Sequence, residues 1–162
     1  MKTPTQARSR RDAASNSKPQ TVEACSPGLL FRRLGFIKND MTELVDVLRK
    51  GAPPRVFFNL AIELGSSQRD LGKLIRLSPA ALTQRRQSKR LSPEQTSRAY
   101  RVACAYQKSL QLFEGDRESA VLWLKQPAQA LGGSSPLDYL DTEAGADAVR
   151  DLIGRLEYGV IT

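Results

Sequence analysis

The sequence predicts an all-α fold. Three observations carry this reading. Apolar residues recur at three-to-four spacing in one segment after another. Several of those segments open on Ser, Asp or Thr, with proline or an acidic residue just inside. No segment alternates apolar and polar residues over the length of a strand.

Taken in order, Met1 to about Pro27 is rich in Ser, Thr, Gln, Pro and Arg and nearly devoid of large apolar residues. Such a stretch buries too little surface to offset its ordering entropy, so residues 1–27 are expected to form a disordered basic tail. Its cluster Arg8, Arg10 and Arg11 is either a phosphate-touching arm or part of a solvated leader. Gly28 to Ile37 is apolar with two central arginines, and reads as a short strand or an irregular segment packed on the core. Asp40 caps a short helix whose Leu44, Val45 and Leu48 share a face; Arg49 and Lys50 suit its last turn, and Gly51 ends it.

Pro53-Pro54 interrupts the chain. The next helix spans about Pro54 to Leu64, with Val56, Phe57, Leu60, Ala61 and Leu64 inward and Gly65 as its stop. Ser67 caps a helix from about Gln68 to Ile75. After Arg76-Leu77, Ser78 caps another, with Pro79 at its first position. Ser92-Pro-Glu-Gln95 is a capping box opening a long helix to about Phe113, whose buried face is Ala99, Val102, Ala103, Tyr106, Leu110 and Phe113. Gly115 ends it. Asp116 caps a helix carrying Ala120, Val121, Trp123 and Leu124, cut off by Pro127. A Gly132-Gly133 turn leads to one helical turn at Pro136–Leu140. Thr142 caps the last helix, with a stripe of Ala148, Val149, Leu152, Ile153 and Leu156. The lone Trp123 reads as a core residue.

Composition excludes several functions. The chain has no histidine, which rules out a Ser-His-Asp triad, a Cys-His pair and most zinc sites. Cys25 and Cys104 match no CxxC spacing, and a reducing compartment suits them better than a disulfide. No apolar run reaches membrane-spanning length and the N-terminus lacks the apolar region of a signal peptide, so a cytoplasmic protein is expected. Phosphate-cradling glycine motifs are absent. Asp138, Asp141, Glu143 and Asp147 read as a solvated acidic face rather than acid–base catalysts. Neither an enzyme nor a cofactor is expected.

Charge is unevenly distributed. Between Arg69 and Arg101 nine basic residues face two acidic ones, a net of +7; from Phe113 onward four basic residues face nine acidic ones, a net of −5. A basic middle suits a polyanion and an acidic end suits a second, different partner. Gln68 to Gln87 has the spacing of a helix-turn-helix: Leu71 and Leu74 pack its first helix, Leu77 fills the turn and Leu82 anchors the second. Pro79, Ala80, Thr83 and Gln84 would face the major groove, while Arg85, Arg86, Lys89 and Arg90 would hold phosphates or a guanine edge. Gly72 stands where alanine is usual. Arg76 stands where glycine usually takes a left-handed conformation. The competing reading is a helical hairpin with a solvated basic face.

The later residues resemble a family. Leu91-Ser92, Ser97-Arg98, Ala120, Trp123-Leu124, Pro127, Ala130-Leu131-Gly132-Gly133, Pro136-Leu137, Leu140, Thr142, Gly145, Val149, Leu152, Arg155 and Glu157-Tyr158-Gly159-Val160 together resemble the Xre/MbcA/ParS-type antitoxins. The resemblance covers about Thr42 to Thr162 and is most specific from Trp123 onward. It implies a non-enzymatic antitoxin that joins an Xre-like helix-turn-helix to a C-terminal toxin-binding domain. It also implies a RES-type, NAD-consuming toxin as partner, operator DNA as ligand and repression of its own operon. On this reading 28–113 is the DNA-binding region and 114–162 the toxin-binding domain. Glu157, Tyr158, Gly159, Val160, Ile161 and Thr162 would enter the toxin's active site, Glu157 or the terminal carboxylate meeting its cationic groups; the competing reading folds Val160 and Ile161 back on the chain's own core. A homodimer within a hetero-oligomeric complex is expected, through either the Ser92–Phe113 helix or the last helix. The alternative is a stand-alone transcriptional regulator whose C-terminal domain only dimerises.

Overall fold

The computed structural model describes residues 27–78, 80–81 and 90–159. Among them are eight α-helices and no strand: α1 (Pro27–Leu34), α2 (Thr42–Lys50), α3 (Arg55–Glu63), α4 (Gln68–Leu74), α5 (Pro93–Leu112), α6 (Arg117–Lys125), α7 (Pro136–Tyr139) and α8 (Glu143–Glu157), with a 3-10 turn at Gln129–Leu131. The disordered tail expected over 1–27 lies outside the described residues except for Pro27, which begins α1.

The fold is organised around α5. Its start is the expected capping box: the Ser92 hydroxyl accepts from the Gln95 backbone N–H while the Gln95 side chain accepts from the Ser92 N–H. Helices α1, α2 and α3 pack on it from the N-terminal part, α6 and α8 from the C-terminal part. Ala99, Val102, Ala103, Tyr106 and Leu110 are buried in one continuous core with residues of both parts. Each large apolar side chain wholly buried there contributes about 1.5–3 kcal/mol.

Three local expectations are overturned. Gly28–Ile37 is no strand, and only its last three residues are irregular: Gly28–Leu34 belongs to α1, which buries Leu30, Phe31 and Leu34, and Gly35, at φ 93°, closes the helix by letting the Phe36 N–H reach the Phe31 carbonyl. Val45 does not share the buried face of α2; it is 51% exposed, because it lies about 100° round the helix from the buried Leu44. Leu156 does not complete the stripe of α8. It is 43% exposed in a last turn whose residues 156–159 all face outward, and Ala146, in the first turn, is buried instead. The Asp40 carboxylate does accept from the Thr42 N–H at 2.8 Å, so it serves the helix start from one position further out than a formal cap.

Close backbone approaches lock the helices together. A Cβ on Gly51 (φ 89°) would lie 2.0 Å from the Leu91 carbonyl oxygen. That segment is clamped where α5 begins: the Leu91 N–H donates to the Ala52 carbonyl, the Ala52 N–H to the Thr96 hydroxyl and Arg90 Nη1 to the Gly51 carbonyl, at 2.7–2.8 Å. A Cβ on Gly145 would lie 1.8 Å from the Tyr139 carbonyl oxygen, so only glycine lets α8 start so close to the end of α7.

Candidate nucleic-acid and protein interfaces

The helix-turn-helix begins as expected. The Ser67 hydroxyl caps α4 by accepting from the Asp70 N–H at 3.1 Å. Leu71, Ile75 and Leu77 are buried and Leu74 is partly so. Arg76 takes the left-handed conformation, φ 57°. The Leu77 N–H then reaches back to the Gly72 carbonyl at 2.7 Å and the Arg76 N–H to the Lys73 carbonyl at 3.1 Å, the paired bonds of a Schellman ending. The turn therefore keeps its geometry although an arginine occupies the glycine position. Beyond it the Ser78 hydroxyl accepts from the Ala81 N–H at 3.1 Å, and Ala80 and Ala81 are helical, Ala80 exposed. Pro79, Leu82, Thr83, Gln84, Arg85, Arg86 and Lys89 lie outside the described residues.

Not all of the local positive charge is directed outward. Arg98 is buried and paired with Glu94 at 2.6 Å. Arg101 pairs with Glu143 at 2.7 Å and donates to the Asp141 carbonyl, so it fixes the start of α8. Arg90 is exposed, with one guanidinium nitrogen on the Gly51 carbonyl. Arg69, Lys73 and Arg76 are exposed around the turn.

The C-terminal part is built by caps. The Asp116 carboxylate accepts from the Ser119 hydroxyl and from the Ser119 and Glu118 N–H groups, and these bonds, the hydroxyl's first, hold it below the usual carboxylate range. Ser135 caps α7 and Thr142 caps α8. Trp123 is half-buried, its ring 6.4 Å from that of Phe113, so it packs against the core without being enclosed by it. Of the acidic face, Asp138 caps back to Ser135, Glu143 holds Arg101 and Asp147 holds Arg150. No group of metal-ligating side chains occurs among the described residues. Helix α8 ends with Glu157 exposed and Tyr158 85% exposed; Gly159, at φ 66°, turns the chain out of the helix. Val160, Ile161 and Thr162 lie outside the described residues.

The two parts are tied by contacts that no spacing announces. The C-terminal carbonyls of α3 receive cations from α6: Arg117 donates to those of Ile62 and Glu63, and Lys125 Nζ to that of Gly65 at 2.8 Å. The Glu63 carboxylate, 13% exposed, takes Arg33 at 2.9 Å, the Tyr106 hydroxyl at 3.1 Å and Arg117 at 3.8 Å. Burial, with the Glu63 charge beside it, pushes the Tyr106 hydroxyl up to about 12.

A helix-turn-helix joined through a shared core to a helical part with an exposed end has the parts of a DNA-binding regulator that docks a second partner. Comparison with known families agrees. Residues 43–103 match the antitoxin Xre-like helix-turn-helix domain, and residues 109–159 match the antitoxin Xre/MbcA/ParS C-terminal toxin-binding domain. A protein named Antitoxin Xre from Yersinia enterocolitica is 33% identical over 134 residues, covering 82% of this chain and 90% of the relative. Another of that name from Photorhabdus laumondii is 28% identical over the same shares. The chain belongs to the Xre family of antitoxins.

Proposed function

We propose that this antitoxin neutralises a RES-type, NAD-consuming toxin by binding alone, with the segment Glu157–Thr162 entering the toxin's active site. The observation that carries this is the end of α8. Tyr158 is exposed, Gly159 leaves helical geometry at φ 66°, and the sequence continues with the apolar pair Val160-Ile161, just beyond the region that matches a toxin-binding domain. A pocket for a dinucleotide pyrophosphate is electropositive, so Glu157 suits its rim. Deleting residues 158–162 tests the plug: co-expressed toxin should again deplete cellular NAD and stop growth. Full protection by the truncated chain would refute it.

The helix-turn-helix represses the chain's own operon, with Pro79, Ala80, Thr83 and Gln84 toward base edges and Arg85, Arg86, Lys89 and Arg90 toward phosphates or guanine. Residues 28–113 form this DNA-binding region and 114–162 the toxin-binding domain, in a cytoplasmic homodimer that reads a palindromic site. No helix among the described residues is long and apolar enough to cross a membrane. Arg85→Ala and Arg86→Ala should each weaken operator binding. A lost phosphate contact lowers the salt slope by about one; a lost guanine contact costs about 1–3 kcal/mol and relaxes specificity. Both variants should still neutralise toxin. Unchanged DNA binding in both would move recognition elsewhere.

A further inference from the structure

Gly154 lies inside α8, and nothing in this chain requires a glycine there. A Cβ built on it meets no atom within 4 Å, and its backbone is not left-handed. Gly145, earlier in the same helix, is the opposite case, with a carbonyl oxygen 1.8 Å from its Cβ position. Glycine in a helix interior is disfavoured relative to alanine. The fold alone therefore favours alanine at 154.

The space over Gly154 is the floor of an open groove of about 670 Å³, bordered by Ala130 and Leu131 from the 3-10 turn and by Ala148, Arg155 and Tyr158 from α8. A second feature lies beside it. The Nε of Arg155, like those of Arg98 and Arg101, is buried and has no hydrogen-bond partner; only that of Arg155 belongs to a residue bordering this groove. A buried donor left unpaired is costly, so the Arg155 side chain gains a partner if it turns into the groove to meet an acceptor from outside the chain. The groove lies wholly within the residues that match a toxin-binding domain, and it ends at Tyr158, where the proposed plug begins.

We infer that this groove is a second toxin-docking surface. A segment of the toxin packs its backbone or a small side chain directly on α8 at Gly154, and the Arg155 side chain turns into the groove to donate its Nε–H to an acceptor on that segment. The inference rests on the toxin-binding reading and assigns to the groove the affinity that a short plug alone does not supply.

The test uses the full chain and the toxin encoded by the neighbouring reading frame, made catalytically silent. Gly154→Ala should raise the melting temperature by about 2–4 °C through helix propensity while weakening toxin binding about tenfold. Gly154→Leu should weaken it further, and Arg155→Met should weaken it about tenfold without lowering the melting temperature. Opposite signs for stability and affinity are what a purely structural role cannot produce. Wild-type affinity in Gly154→Leu overturns the inference. So does loss of self-association in sedimentation with toxin affinity intact, which would give the groove to a second copy of this chain. If a chain lacking only residues 160–162, which keeps Tyr158 at the groove, binds toxin but no longer inhibits it, the groove is supported as the affinity site. If the unaltered chain does not bind the toxin, this inference and the proposed function fall together.

Discussion

Two residues shape this protein in different ways, Gly145 through backbone contact and Tyr106 through side-chain chemistry. At Gly145 a methyl group would overlap the Tyr139 carbonyl oxygen. Gly145→Ala should therefore destabilise the chain by about 1–3 kcal/mol or more, read as a lower denaturation midpoint with unchanged slope. Tyr106 makes a prediction about pH. Its hydroxyl holds its proton to about 12 in the folded chain against an ordinary value of 10.0. Because the folded pKa is the higher one, this contribution is complete below pH 10 and is lost as pH rises from 10 to about 12. Tyr100, likewise pushed up to about 12 by burial, adds a parallel loss. Tyr106→Phe should remove roughly half of the tyrosine-linked fall in stability over that range, measured by denaturant titration. An undiminished fall would mean that Tyr106 is not protected. Neither feature was legible beforehand: Gly145 appears only as a match to a family pattern, and Tyr106 as one apolar position among six.

At the scale of elements, local signals were the legible ones. Ser67, Ser92, Asp116 and Thr142 cap where polar residues precede apolar runs, since an uncapped helix start leaves N–H groups unpaired. Ser92→Ala opens one half of the capping box and should cost about 1 kcal/mol in thermal or chemical unfolding. No loss would show that Gln95 alone secures the start of α5. Helix α1 was missed although its signals exist: Ser26-Pro27 is a start, Leu30, Phe31 and Leu34 share a face, and Gly35 is a stop. Its two central arginines disguised the pattern; Arg32 and Arg33 are exposed, lying on the outer face. Val45 and Leu156 were misplaced because an apolar residue marks a helix, while only its neighbours decide whether that arc is covered.

At the scale of the whole molecule, the contacts that join the two parts link residues 42 to 60 positions apart, such as Arg101 with Glu143 and Lys125 with Gly65. Pattern reading cannot find them, since charged residues at such separations have no preferred pairing. Their effect is testable because the only tryptophan, Trp123, lies in the C-terminal part. Its fluorescence and far-ultraviolet circular dichroism should trace one coincident unfolding transition, as the continuous core requires. Arg117→Met with Lys125→Met should lower stability by about 1–2 kcal/mol and keep the transitions coincident. Separate transitions would show two independently folding units.

The clasp of Arg117 and Lys125 on the end of α3 also bears on how such proteins can be recombined. A chimera made by exchanging everything after α5 would set the cations of one parent against the helix end of another. The portable unit therefore includes Ile62–Gly65 as well as the residues that touch the toxin. An engineer retargeting this antitoxin should transplant that helix end with it, or expect a hybrid that recognises its toxin but sits loosely on its DNA-reading half.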